Sequence, residues 1–266
     1  MTSPTAYTVP IPGGQLAFQE YGEGPPLLLL HSEYLSHVTW RGQINPFANH
    51  FRLITCDLRG HGASSVTPER YSPGQFVEDV RRLIDWLGLE RVMVMGHGLG
   101  GIVAQELAIR IPSRLDALVI ADAPYAARAT FYDQLNQRVT QAARAWVGPE
   151  YLIRRLNASG SPQFRDYVAR EIARHSADRA NFDNIYQMLN GFDHREMLAS
   201  IQCLSLILVG ERSQSLHAHA RFMNESIRGS FYGVVLGAGH MLHWDNPALF
   251  NGIVLEFLQG AAALNA

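Results

Sequence analysis

The chain has 266 residues, 47% of them hydrophobic and 17% charged, with a formal net charge of −2. That length and apolar content suit one large domain, or one domain with an insertion, and exclude a disordered chain. The near-neutral charge has no run of one sign, so nucleic acid and anionic membranes are excluded as expected partners. All 22 basic residues are arginine, which excludes Schiff-base and lysine-anchored pyridoxal phosphate chemistry.

The opening segment, MTSPTAYTVP, lacks the charged and apolar regions of a signal peptide. The longest apolar run, Ala117–Ala121, is too short to span a bilayer. A cytoplasmic protein with reduced thiols at Cys56 and Cys203 is therefore expected. Gln15–Tyr21 alternates as a half-buried strand, and Pro26–His31 is a continuous apolar run of the kind covered on both faces. Phe51–Asp57 is the next strand. Ser72-Pro73-Gly74-Gln75 places serine, proline and glutamine at the N-cap, N1 and N3 of a helix that stops at Gly88. Val92–Met95 predicts a strand, Leu99–Ile111 a helix and Leu115–Ala121 a strand. Residues 124–199 carry no strand pattern and read as a helical insertion. Leu204–Val209 and Phe231–Leu236 then resume the buried-strand pattern, and Pro247–Leu258 closes with a helix. The fold class is α/β: a mostly parallel, doubly wound sheet built from 1–123 and 200–266, interrupted after the sixth strand by a helical cap at 124–199. Ligands in such sheets bind beyond the carboxyl ends of the strands.

Four segments in order resemble the α/β-hydrolase fold family: LLLLHSEYLSHVTW (27–40), CDLRGHGAS (56–64), GHGLGG (96–101) and GAGHMLHWDNPALF (237–250). The resemblance implies a strand and oxyanion loop in the first and a D-x-R-G-x-G turn in the second. It implies the nucleophile elbow in the third and the histidine loop in the fourth. By that resemblance His240 is the catalytic histidine, and Gly98 stands where the family carries its serine nucleophile. Glycine cannot attack, although it suits a turn of unfavourable backbone conformation. The loop after the seventh strand, Gly210-Glu211-Arg212-Ser213-Gln214, has Ser213 or Gln214 where the family usually places its acid. Asp122, at the end of the sixth strand, is the candidate replacement. Certain dehalogenases and the cofactor-free quinolone dioxygenases place their acid there, and an aspartate at a strand end can equally be non-catalytic. The oxyanion donors implied are the backbone N–H groups of Glu33 and Leu99, and Glu33 is also a candidate acid or base unless it points to solvent. Ser32, replacing the family's glycine, and Tyr34, His37, His97, Trp146 and Tyr186 are candidate pocket residues, with His97 and His243 also open to structural roles.

Three functions remain open on this sequence. The first is an enzyme without a nucleophile, in which His240 acts as general base on a small, largely apolar substrate. Its reaction would be an elimination, decarboxylation, cyclisation, cofactor-free oxygenation or water-mediated hydrolysis. The second is a catalytically silent small-molecule binding protein, and the third an ester or C–C hydrolase carrying a Ser-to-Gly change. No metal-ligand spacing or dinucleotide fingerprint occurs, so no metal and no cofactor is expected. The expected partner is a small-molecule substrate. A homodimer is compatible with the sequence, which does not fix the oligomeric state.

Overall fold

The structure, a computed structural model, describes residues 5–129, 133–134, 138, 149–156 and 161–265. Its sheet has the order β1-β2-β4-β3-β5-β6-β7-β8, formed by β1 (Thr5–Ile11), β2 (Gly14–Tyr21), β3 (Pro26–Leu30), β4 (Arg52–Cys56), β5 (Val92–His97), β6 (Leu115–Ala121), β7 (Leu204–Gly210) and β8 (Phe231–Val235). The β1–β2 and β2–β4 pairs are antiparallel, and every later pair is parallel. The parallel strands are the near-continuous apolar runs of the sequence, because helices cover both of their faces.

One core layer joins α2 (Pro73–Trp86) and α3 (Leu99–Arg110) to the sheet through Val80, Leu83, Val103 and Leu107. The other packs α1 (Arg41–Ala48) and the last helix against Leu29, Met95, Val119 and Leu208. The predicted capping box is formed: Ser72 Oγ accepts the Gln75 N–H, and the Gln75 side chain accepts the Ser72 N–H. Between β6 and β7 lie α4 (Pro149–Leu156), α5 (Pro162–Ala177) and α6 (Arg179–Leu189), as expected of a helical insertion. They lean on the loops beyond the strand ends. Tyr167 Oη accepts the Ser36 N–H at 2.6 Å, and Asn181 Nδ2 donates to Gly60 O at 2.7 Å.

Three elements were not legible as such. β1 carries Pro10, which a strand tolerates at a sheet edge. Helix α1 has Gly42 and Pro46 inside it, and α7 (Gln214–Ser226) starts directly from an irregular loop. The last two helices are α8 (Leu242–Asp245) and α9 (Pro247–Asn265). An 18-residue window of α9, Pro247–Leu264, has mean hydropathy 1.3 and is long and apolar enough to cross a membrane by those two measures. Here α9 lays Phe250, Val254, Leu258 and Ala261 into the core. Both cysteines are free thiols.

The CDLRGHGAS turn is pinned by a buried ion pair. Arg59 Nε and Nη2 each donate to a different oxygen of Asp79 on α2 at 2.7 Å, and both side chains are 2% exposed. Arg59 Nη1 also donates to Thr67 Oγ1 at 2.8 Å. Replacing Asp79 by alanine strands that guanidinium, so a loss of about 3–5 kcal/mol of stability is expected in urea denaturation. A loss below about 1 kcal/mol would mean that water reaches the pair.

Candidate active site

Five loops meet at the carboxyl ends of β3, β5, β6, β7 and β8. The β3 loop is anchored by His31, whose Nδ1 lies 2.7 Å from Ser32 O and whose Nε2 accepts the Leu58 N–H at 2.9 Å. Helix α3 can press against this loop because a Cβ on Gly100 would lie 2.1 Å from Leu30 O. The close approach brings the first turn of α3 beside Ser32 and Glu33.

At the end of β6 the chain turns at Asp122, with φ +44°, and its side chain is fully buried. The Asp122 carboxylate accepts from Gly210 N–H at 2.9 Å, Ser213 Oγ–H at 2.5 Å and His240 Nδ1–H at 3.1 Å. Three donors therefore fix it in place. With the ring proton on Nδ1, the lone pair of His240 lies on Nε2. Ser213, which occupies the family's usual acid position, serves here as a donor to the acid. The G-x-x-S loop was the signal for it, but its partner is 91 residues away.

His240 is held from behind as well. His97 Nε2–H donates to His240 O at 2.8 Å, and the two rings lie 4.6 Å apart. Burial, then the charges of His240 and His243, drive His97 well below the ordinary histidine value, so it stays neutral. His243 is likewise held down by burial, to about 3, with its Nε2 3.0 Å from Thr39 Oγ1. For His240 burial pulls the other way from its neighbours. The Asp122 hydrogen bond and charge, with the Glu33 and Asp245 carboxylates, outweigh it and hold the imidazole above 6.5.

Gly98 forms the turn between β5 and α3 at φ +53°, ψ −118°. A Cβ on it would lie 2.1 Å from Ser32 Oγ and 2.9 Å from Glu33 Oε2. The space beside residue 98 is thus filled by side chains of the β3 loop, and the positive φ is one that glycine adopts without steric cost. Glu33 points inward, 8% exposed, and its Oε2 accepts the Ser32 hydroxyl at 2.7 Å and the Leu99 N–H at 3.1 Å. This corrects the expectation of a vacant donor at Leu99: its N–H is already bonded to the protein's own carboxylate.

The remaining candidates have other partners or support His240 from behind. Tyr34, at φ +60°, is buried between His175 and Phe182, with ring centroids at 5.2 and 4.7 Å, so it is part of the packing under α5 and α6 and not a pocket wall. His37 Nδ1 pairs with Asp57 Oδ1 at 2.9 Å and borders a separate cavity of about 240 Å³ lined by Tyr7, Phe18 and Gln19. His97 is a buried support for the His240 backbone, and not a pocket residue. Tyr186 lies on the buried face of α6 with Phe182 and Ile185. Trp146 lies outside the described residues. Among the described residues no group of three or more His, Cys, Asp or Glu side chains could hold a metal ion.

The family described as alpha/beta hydrolase fold matches residues 25–247. An uncharacterized protein of Mycobacterium tuberculosis is 36% identical over 120 residues, 45% of this chain and 35% of that protein, so the match spans about a third of that relative's length. The 3-oxoadipate enol-lactonase 2 of Acinetobacter baylyi is 27% identical over 252 residues, 90% of this chain and 91% of that enzyme. Among solved structures, a thermophilic esterase from Thermogutta terrifontis superposes with a TM-score of 0.82 at 25% identity, covering 98% of this chain and all of that one.

Proposed function

This chain belongs to the alpha/beta hydrolase fold family, and on that premise we propose that it is a hydrolase-type enzyme working through His240 as general base, with no nucleophile on residue 98. The single observation that carries the reading is the Asp122–His240 pair, 3.1 Å apart across 118 residues of sequence, with the acid fixed by two further donors. A passive binding protein has no use for an imidazole oriented in this way. The crowding at Gly98 weighs against the reading of a hydrolase carrying a Ser-to-Gly change, since Ser32 and Glu33 occupy the space a serine side chain needs.

His240 Nε2 takes a proton from a bound water or from an acidic C–H, O–H or N–H of the substrate. The imidazolium so formed is stabilised by Asp122. In the hydrolytic case the hydroxide attacks the carbonyl carbon, the electron pair of the broken bond leaves on the alcohol or amine, and His240 returns the proton to it. In the eliminating or decarboxylating case the pair left behind on carbon is delocalised within the substrate. The substrate is a small organic molecule of ester, lactone or comparably activated kind, and helices α4, α5 and α6 belong to the cap over it.

The pH dependence tests this reading. A base must be neutral to act, and the His240 value is raised, so kcat/KM on a hit from a lactone, ester and carbamate panel is expected to rise with pH. Its midpoint should lie above 6.5. The stability His240 contributes has the opposite sense: present below 6.5 and lost as pH rises through the raised value. An Asp122→Asn change removes the main upward influence, so the acid limb should move to lower pH. A limb unmoved by that change would refute the assignment of His240 as the titrating base.

A further inference from the structure

Leu99 is the first residue of α3, and its N–H has no partner within the helix. Helix N-termini carry partial positive charge and bind anions. In this protein the place is taken: Glu33 Oε2 lies 3.1 Å from Leu99 N and 2.7 Å from Ser32 Oγ, with Glu33 and Ser32 both buried. The glycine at 98 is what admits them, since any Cβ there would collide with both.

Among the described residues, carboxylates gather around this point. Asp122 and Asp245 join Glu33 in raising the proton affinity of His240. His97 and His243, packed against His240, are kept neutral by burial. The Arg212 guanidinium is mostly exposed and is committed to Asp245 Oδ2 at 3.2 Å and Gly237 O at 2.6 Å.

From this arrangement we infer that Glu33 is a specificity-determining residue, the resident occupant of the anion site at the head of α3. The cleft therefore accepts substrates that are neutral or cationic at the reacting end and rejects carboxylates and phosphates. An incoming carboxylate would have to displace a covalently tethered one from the same N–H, and would meet its charge and that of Asp122 at short range. A neutral or cationic group faces neither penalty, and an ammonium group gains from both carboxylates. The filter also fits the chemistry of a base: the imidazolium formed at His240 is paired by Asp122 and feels the Glu33 charge, and the electron pair left by the proton is carried within the substrate. The inference rests on the His240 reading for the place of the cleft, but its test reads binding alone.

The probe is acetate, titrated above pH 7 into isotopically labelled protein and followed at the Leu99 amide and the His240 ring. The wild type is expected to show no saturable shift at Leu99. Glu33→Ala, which frees the N–H, should bind acetate at least about tenfold more tightly, with the Leu99 amide moving on saturation. Glu33→Gln keeps a carbonyl oxygen for the N–H and removes only the charge, and should fall between the two. It also serves if the alanine variant does not fold. The inference is overturned if the wild type binds acetate at Leu99 as tightly as the folded variants do. Loss of activity in a His240 variant leaves this result untouched, so the two readings fail separately.

Discussion

Replacing His240 by alanine is expected to reduce turnover by about 10²–10⁴-fold, the usual contribution of a positioned general base. Fold and thermal midpoint should change little. The ring is 22% exposed on the side chain, and its loop is also held through the backbone by His97 and by the Gly239 N–H on Asp245 Oδ2 at 2.8 Å. The loss should appear in kcat more than in KM, because the imidazole acts on a proton in transit and not on the bound ground state. Asp122→Asn should cost a comparable factor for a different reason. An amide facing Nδ1 no longer requires the ring proton to sit there, so the Nε2 lone pair is no longer assured. The Gly210 N–H and Ser213 hydroxyl also lose a charged acceptor, so this variant should be less stable where the His240 variant is not. Measured kcat, KM and melting curves of the two variants side by side decide the matter. Full activity in His240→Ala would refute the mechanism.

Introducing a serine at residue 98 should restore nothing by itself. The new Cβ would lie 2.1 Å from Ser32 Oγ and 2.9 Å from Ser32 Cβ and Glu33 Oε2, on a backbone at φ +53°. Overpacking of this kind costs about 1–3 kcal/mol, and a left-handed backbone for a residue with a Cβ roughly 1–2 kcal/mol more. Gly98→Ser is therefore expected to be destabilised and inert toward p-nitrophenyl acetate. Adding Ser32→Gly removes two of the three clashing atoms and the Ser32 donor that helps hold Glu33 in place. In the double variant the introduced hydroxyl joins the Asp122–His240 pair as a nucleophile. Stability should recover in part, the backbone cost at residue 98 remaining, and ester hydrolysis should rise by about 10²-fold or more over the parent, with a burst that marks acyl-enzyme accumulation. Equal stability and equal activity of the single and double variants would show that Ser32 does not govern the space beside residue 98.

Much of the framework is written in local sequence. Apolar runs fixed the parallel strands, with β6 matching its expected Leu115–Ala121 span, and the Ser72–Gln75 box set the start of α2. The order of four short segments resembling the α/β-hydrolase fold family was enough for the fold and for His240, and Asp122 could be named because it sits at the end of a recognisable strand. The strands and the start of α2 depend on periodicity and hydrogen bonds within a few residues, which a linear chain displays directly. Edge strand β1 and helix α1 were less visible because Pro10, Gly42 and Pro46 contradict the local pattern, and their formation rests on packing against the sheet.

The sequence by itself determined the α/β frame, the glycine at residue 98 and the candidate pair of Asp122 and His240. Only the tertiary structure decided that Asp122, and not the loop after β7, faces His240, and that Ser213 reinforces it. It also decided that Glu33, 66 residues before Leu99, turns inward onto that N–H. The reason is geometric. Strands β3 and β5 are neighbours in the sheet although 61 residues of chain separate their ends, so what fills the space above a glycine on one is set by the loop leaving the other.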